Sequence, residues 1–180
     1  MKRLLFLMLV SAFLFTACEQ KPTLQKYFVE KSESTGEGFT VLDVSPTILN
    51  LEKANLTTDE KEVLNAFEKV NILTLKADGK NGNAIQAEKE KIATILNDKK
   101  YESLIKVNLG KDGAEFKCVG KDEHIEEFIL YGSKKENGLA VIRITGEDMN
   151  PTAVLKMLQL MQKSKIDVEQ LQPLQELFKP

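Results

Sequence analysis

The size, composition and charge of the chain already exclude several classes of protein. It has 180 residues, of which 42% are hydrophobic and 29% charged, a balance typical of a folded domain and not of a disordered chain. The formal net charge is −2, so no excess of positive charge indicates a nucleic-acid partner. A single His, two Cys and no Trp leave few metal ligands or nucleophiles, and we expect no cofactor.

The start of the chain, residues 1–17, is predicted to be an export signal. Two basic residues precede an uncharged apolar run at 4–15, which is too short to cross a bilayer as a helix and has the order of a signal peptide. Thr-Ala-Cys follows and resembles the lipobox of bacterial lipoproteins, although Phe15 stands where Leu, Val or Ile is commoner. The resemblance implies cleavage between Ala17 and Cys18 and acylation of Cys18. An ordinary secretion signal with a chance Cys is the alternative.

The same resemblance implies that the mature protein is attached to a membrane through acyl chains on Cys18. Two or three chains make this attachment effectively permanent, because each buried CH₂ contributes about 0.8 kcal/mol. Residues 18–23 are then the lipidated Cys and a polar tether. Glu19 follows the Cys where inner-membrane lipoproteins commonly have Asp, so the outer membrane is favoured, with its periplasmic or surface face left open. Cys118 would have no partner for a disulfide within the chain.

Residues 24–170 are predicted to form a single domain, with a tail at 171–180. Helices are predicted from apolar spacings and cap signals, and strands from alternation. The first two predicted helices are 24–33 and 45–54. A third is capped by Thr57 and has an apolar face formed by Val63, Leu64, Phe67 and Val70. A fourth follows a loop at 78–83, is capped by Asn83 and carries Ile85, Ile92, Ile95 and Leu96, and a fifth opens at Asn150.

The predicted strands indicate an α+β fold. They are 39–44, 72–77 and a C-terminal β-meander between Tyr101 and Thr145, with turns at Asp112-Gly113, 121–123 and Asn137-Gly138. Asp-Gly and Asn-Gly are strong hairpin signals. Runs of hairpins beside helices predict a mostly antiparallel sheet with helices packed on one face.

Several of these segments together resemble a known family. They are Gly-Glu-Gly-Phe-Thr-Val at 36–41, Ser-Pro at 45–46, Phe-Glu-Lys-Val-Asn-Ile-Leu at 67–73, Tyr-Glu-Ser-Leu at 101–104, Lys-Asp-Gly at 111–113 and Ile-Arg-Ile-Thr-Gly at 142–146. The pattern resembles the domain of unknown function family 4252 of exported bacterial proteins, over about residues 24–165. Because these motifs are hairpins and core strands, the resemblance implies a fold and no chemistry. The frequent proximity of such genes to extracytoplasmic sigma-factor systems implies a link to envelope stress.

His124 is the candidate metal ligand. Asp122, Glu123, Glu126 and Glu127 lie around it in the sequence. A structural zinc site needs four ligands, mostly Cys and His, and this chain has one His. A solvated turn is therefore favoured, and we expect no metal site.

Three other segments offer weaker candidates for function. The loop at 78–83 has a calcium-loop composition but lacks the ligand spacing of an EF-hand, so a helix-initiating loop is favoured. Cys118 could be a nucleophile, alone or with His124, but alternation puts it on an apolar face with Phe116, which favours a buried, unreactive thiol. A stripe that could bind a partner, but is favoured as core, is formed by Leu155, Leu158 and Met161.

Motifs of serine hydrolases and nucleotide-binding loops are absent from the sequence. We therefore expect a non-enzymatic, membrane-anchored envelope lipoprotein that binds an unknown envelope protein or small ligand. A small-ligand or stress-sensing module linked to a sigma-factor system and a hydrolase with an unrecognised site are the alternatives. Convergent ionisable groups in a pocket would favour the enzyme. A deep apolar pocket would favour the ligand-binding module, and a flat exposed apolar patch would favour a protein partner.

Overall fold

The computed structural model describes residues 21–34, 38–45, 56–110, 112–122, 124–154 and 156. These residues form α1 (Leu24–Glu33), β1 (Phe39–Val44), α2 (Thr58–Ala66), β2 (Phe67–Lys76), α3 (Gly82–Leu96), β3 (Glu102–Leu109), β4 (Asp112–Lys121), β5 (His124–Lys134) and β6 (Gly138–Met149). A helical turn at 151–154 follows β6. The predicted signal with Ala17 and Cys18, the helix at 45–54 beyond its first residue, the stripe of Leu155, Leu158 and Met161 and the tail at 171–180 lie outside the described residues.

The six strands form one sheet in the order β1-β2-β6-β5-β4-β3. Each neighbouring pair is antiparallel. Strands β3 to β6 are the predicted C-terminal meander, and β2 pairs with β6 across a long separation in sequence. The α+β class and the mostly antiparallel sheet are therefore confirmed, and β1 and β3 are the two edges.

Apolar side chains on the two faces of the sheet form two separate cores. On the first face, α1 and α3 cover the sheet, and Leu24, Ile92 and Val141 are fully buried there. On the second face, Val63 of α2 and the turn at 151–154 pack with residues that include Ile144. Successive strand residues point to opposite faces, so each central strand supplies both cores. The prediction that the helices pack on one face of the sheet is confirmed for α1 and α3, whereas α2 packs on the other face. None of the described helices has the length and apolar character needed to cross a bilayer.

β2 begins earlier than predicted, at Phe67 instead of Ile72. Phe67 and Val70 fit the apolar spacing of the preceding helix, but both pair with β6, where Phe67 lies opposite Gly146. A Cβ on Gly146 would lie 1.9 Å from the carbonyl oxygen of Ala66. The glycine thus permits the close backbone approach that carries the strand back to Phe67, a tertiary effect that local spacing does not contain.

Among the helix starts predicted from cap signals, the one at Thr57 is confirmed and the one at Asn83 is shifted. The capping box at α2 is present, with Thr57 and Glu60 bonding reciprocally. At α3 the cap position is Asn81 and not Asn83. The Asn81 amide instead closes the preceding loop, since its oxygen accepts from the Asp78 N–H at 3.1 Å and its nitrogen donates to the Lys76 carbonyl at 2.8 Å. The helix-initiating interpretation of the loop at 78–83 is confirmed.

The two hairpin turns with glycine signals differ in outcome. Asn137 and Gly138 lie at the predicted turn, where Gly138 has a φ of 104° at the start of β6. In the first hairpin Leu109 pairs with Asp112, so the turn lies between these two residues. Gly110 there has a φ of 72°, a conformation that favours glycine. Asp112-Gly113 therefore begins β4 instead of forming the turn.

Candidate functional site

β3 is an edge strand whose side chains are exposed on both faces of the sheet. Every residue from 102 to 108 is exposed, and among the described strands β3 pairs with β4 alone. In an antiparallel pair only alternate residues bond across the ladder, so the other N–H and C=O groups of β3 point away from the sheet. The opposite edge differs, because the side chains of β1 are mostly half-buried and α1 packs against it.

Three apolar side chains of β3 are exposed and form what we call the β3 edge patch: Leu104, Ile105 and Val107, at 40, 58 and 43%. Ile105 pairs with Phe116, and Phe116 stacks on Phe128 with ring centroids 5.4 Å apart. Phe128 is fully buried in the second core. The patch is therefore the exposed rim of that core.

The other face of β3 is positively charged. Lys106 pairs with Glu115 across the strands, and its Nζ lies 3.8 Å from Glu115 Oε1. The Nζ of buried Lys117 lies 3.3 Å from the same oxygen, and Ser103 Oγ donates to it at 3.1 Å. Two ammonium groups thus share one carboxylate, which leaves a net positive charge beside the open edge.

A polar cleft of about 540 Å³ lies at the other end of the meander. It forms because β5 and β6 lose register: Glu127 pairs with Thr145 and Ile125 with Met149, so residues 146–148 oppose a single residue. Asp148 within this bulge has a φ of 49°. The cleft is lined by Glu68, His124, Glu126, Glu127, Arg143, Thr145, Gly146, Glu147 and Asp148.

His124 lies at the rim of this cleft and is exposed, as predicted. Its Nδ1 lies 2.6 Å from Asp148 Oδ1, a carboxylate that no local sequence pattern connects with it. Within the described part of the chain, no three His, Cys, Asp or Glu side chains are grouped so that they could hold a metal ion.

The half-buried ionisable groups of the cleft are bound to each other. Arg143 Nε and Nη2 donate to the two carboxylate oxygens of Glu127 at 3.0 and 2.8 Å. Arg143 Nη1 donates to Asn71 Oδ1 at 3.2 Å, and the Asn71 amide donates to Asp43. This row crosses four strands of the sheet. A bidentate pair of this kind fixes geometry, and it leaves neither partner placed as a general acid or base.

A second ionic cluster joins α1 to α3 beneath the first core. Tyr27 Oη donates to Glu88 Oε2 at 2.7 Å, and the Nζ atoms of Lys31 and Lys91 lie 3.0 and 3.2 Å from Glu88 Oε1. Burial alone would raise the pKa of Glu88, but these three donors outweigh it and the pKa is lowered. Burial and the neighbouring Glu88 raise the pKa of Tyr27. Since each group is satisfied, we interpret the cluster as structural.

Cys118 is buried, as its alternation predicts, with 3% of its surface exposed. Burial and the nearby charge of Glu102 raise the pKa of the thiol, which disfavours the reactive thiolate. The register puts Cys118 opposite Phe128, four residues along β5 from His124, or about 13 Å. Cys118 and His124 are therefore too far apart to act together as a nucleophile and its base.

The architecture defines an α+β domain built on a single antiparallel sheet with a core on each face. The chain belongs to the family described as Domain of unknown function (DUF4252), whose model matches residues 33–157, from the end of α1 to just beyond β6. This match confirms the family resemblance. No curated protein and no solved structure matches the chain.

Proposed function

We propose that this protein is a membrane-anchored envelope lipoprotein that acts without catalysis, by binding another polypeptide along β3. The observation that carries the proposal is the β3 edge patch, because its apolar side chains flank a row of backbone groups with which no other described strand pairs. An extended chain added to such an edge gains main-chain hydrogen bonds and covers the exposed apolar surface. Exposed apolar side chains grouped in this way are typical of a surface that binds another protein.

The polar cleft supports an enzyme less well. An enzyme needs a group that is free to accept or donate a proton where substrate lies. The carboxylate of Glu127 is held by both donors of the Arg143 fork, at 2.8 and 3.0 Å, and the cleft is wide open to solvent. A small-ligand module is likewise less favoured than a protein partner, since the groove between α1 and α3 at Tyr27 and Ile95, about 330 Å³, is partly open to solvent and is not an enclosed cavity.

The anchor belongs to the same proposal. The amino-terminal pattern supports a signal peptide cleaved after Ala17 and acyl chains on Cys18, with the outer membrane favoured by Glu19. A tether of residues 18–23 reaches at most about 20 Å. The domain would therefore work close to the membrane surface, which restricts its partners to other envelope components.

Site-specific photo-crosslinking in intact cells tests the binding role. A photoreactive amino acid at Ile105 or Val107 should give a discrete adduct with another protein. The matched control is Val29 on α1, which is exposed to a similar extent, 52%, but belongs to a helix and offers no open backbone. Adducts of equal yield at all three positions, or at Val29 alone, would contradict the proposal.

A further inference from the structure

We propose that the segment bound by β3 is an extended strand of another protein that carries an acidic residue between two apolar ones, with the acidic side chain opposite Lys106. This inference rests on the proposed function and specifies its partner. It follows from the way in which the two faces of β3 differ.

The face arrangement fixes the spacing of the partner. Ile105 and Val107 pair with Phe116 and Ala114, on the side of the second core, while Lys106 pairs with Glu115 on the other side. A strand added to the free edge continues this alternation, because residues opposite each other share a face. Its residues beside Ile105 and Val107 are therefore apolar, and the residue between them faces Lys106.

The charge arrangement fixes the chemistry of that central residue. Lys106 and Lys117 share the single carboxylate of Glu115, so this face of the edge has one positive charge in excess. Residues 99–110 carry three lysines and one glutamate, in a chain whose net charge is −2. Opposite charges directly across a ladder stabilise the pairing and like charges destabilise it, which selects Asp or Glu.

A second copy of this chain fits the edge less well. In an antiparallel pair of β3 strands, Glu102 faces Lys106 only when Leu104 faces its own copy. Leu104 is the bulged residue, since the register with β4 shifts between Ser103 and Ile105, and a bulge disrupts the ladder at the centre of that pairing. The register centred on Lys106 instead opposes two lysines.

Peptide binding to the full chain, purified in detergent, tests the proposal. The probes are fluorescent Thr-Ile-Asp-Val-Thr and the same peptide with Lys in place of Asp. We expect the Asp peptide to bind about fivefold or more tightly than the Lys peptide. Lys106→Glu should reverse this preference, and Lys106→Gln should abolish it. Lys80→Glu, an equal charge change on an exposed residue of the loop before α3, should leave the preference unchanged.

The other occupants give distinct results, each of which overturns the proposal. Equal binding of the two peptides removes the acidic requirement but leaves binding along β3 standing. If neither peptide binds, the occupant is a second copy of this chain when light scattering shows a dimer and the Ile105→Asp variant is a monomer. The occupant is instead the lipid surface when the backbone amides of residues 102–108 exchange hydrogen more slowly in vesicles of phosphatidylethanolamine and phosphatidylglycerol than in vesicles of phosphatidylethanolamine alone. The proposed function itself fails separately, if photo-crosslinking at Ile105 and Val107 gives no protein adduct.

Discussion

The ammonium of Lys31 lies 3.0 Å from Glu88 Oε1 and 4.5 Å from the ring centroid of Phe39. Lys31 belongs to α1 and Glu88 to α3, so the pair joins the two helices that cover the first face of the sheet. Both residues are buried. A buried charge is tolerated when it is paired and hydrogen-bonded, and Tyr27 completes the set by donating to the second oxygen of Glu88 at 2.7 Å.

Glu88→Gln should destabilise the fold by about 2–3 kcal/mol at neutral pH, because it leaves the Lys31 ammonium buried without its nearest carboxylate. Urea unfolding of the full chain measures the loss. The control is Glu90→Gln, an exposed residue of the same helix, whose effect should be within about 0.5 kcal/mol.

The stabilising effect of Glu88 should also depend on pH. Its folded pKa lies below the usual 4.5, so the stability it contributes is fully present above that value and is lost as the pH falls through the folded pKa. The difference between wild type and Glu88→Gln should therefore shrink in acid. A difference that stays constant from neutral pH down to about pH 3 would contradict this assignment.

Gly146→Ala should cost about 3 kcal/mol or more, since its Cβ would lie 1.9 Å from the carbonyl oxygen of Ala66 and the strand would have to move. Gly132→Ala is the matched control. It lies in β5, within the same sheet, and a Cβ there meets nothing within 4 Å. Thermal unfolding should show a large drop in Tm for the first variant and little change for the second. Equal drops would mean that the close approach at Gly146 is wrong.

Cys118 should resist thiol reagents in the folded protein and react at once in denaturant. The side chain is 3% exposed, so a reagent cannot reach the sulfur. Burial also raises the pKa of the thiol, which lowers the fraction present as the reactive thiolate. Ser103→Cys supplies the control, because residue 103 is exposed on β3 and its thiol should label rapidly in the native state. Fast native labelling of the wild type would show that this side chain does not face the second core.

The predicted anchor can be tested independently of the domain. The wild type should partition into detergent, begin at Cys18 and carry the mass of its acyl groups, whereas Cys18→Ser should remain uncleaved or slowly processed and unacylated. A chain starting at Glu19 should unfold at the same temperature as the wild type, since the periodic elements begin at Leu24. A soluble, unmodified wild type that begins elsewhere would refute the anchor, and an unfolded shortened chain would refute the boundary at Leu24.

The exposed apolar side chains of β3 show which features local sequence patterns can predict and which they cannot. The alternation of Ile105 and Val107 with Lys106 predicts a strand with one apolar face, and β3 is that strand. The sequence would show the same alternation if another strand or helix covered the apolar face of β3. The alternation contains no information on which strand lies at the edge of the sheet, so the exposure of the patch was not predictable.

The local patterns determined the elements: the capping box at Thr57, the apolar stripe of α3, the meander and the inward face of Cys118. Each depends on residues a few positions apart, which lie close together in any fold of the chain. The tertiary structure decided the rest. The pairing of β2 with β6 begins the strand at Phe67, the bulge at 146–148 brings Asp148 to His124, and helix packing joins Lys31 to Glu88. These contacts link residues far apart in sequence, and their energies depend on burial and strand order that no local spacing encodes.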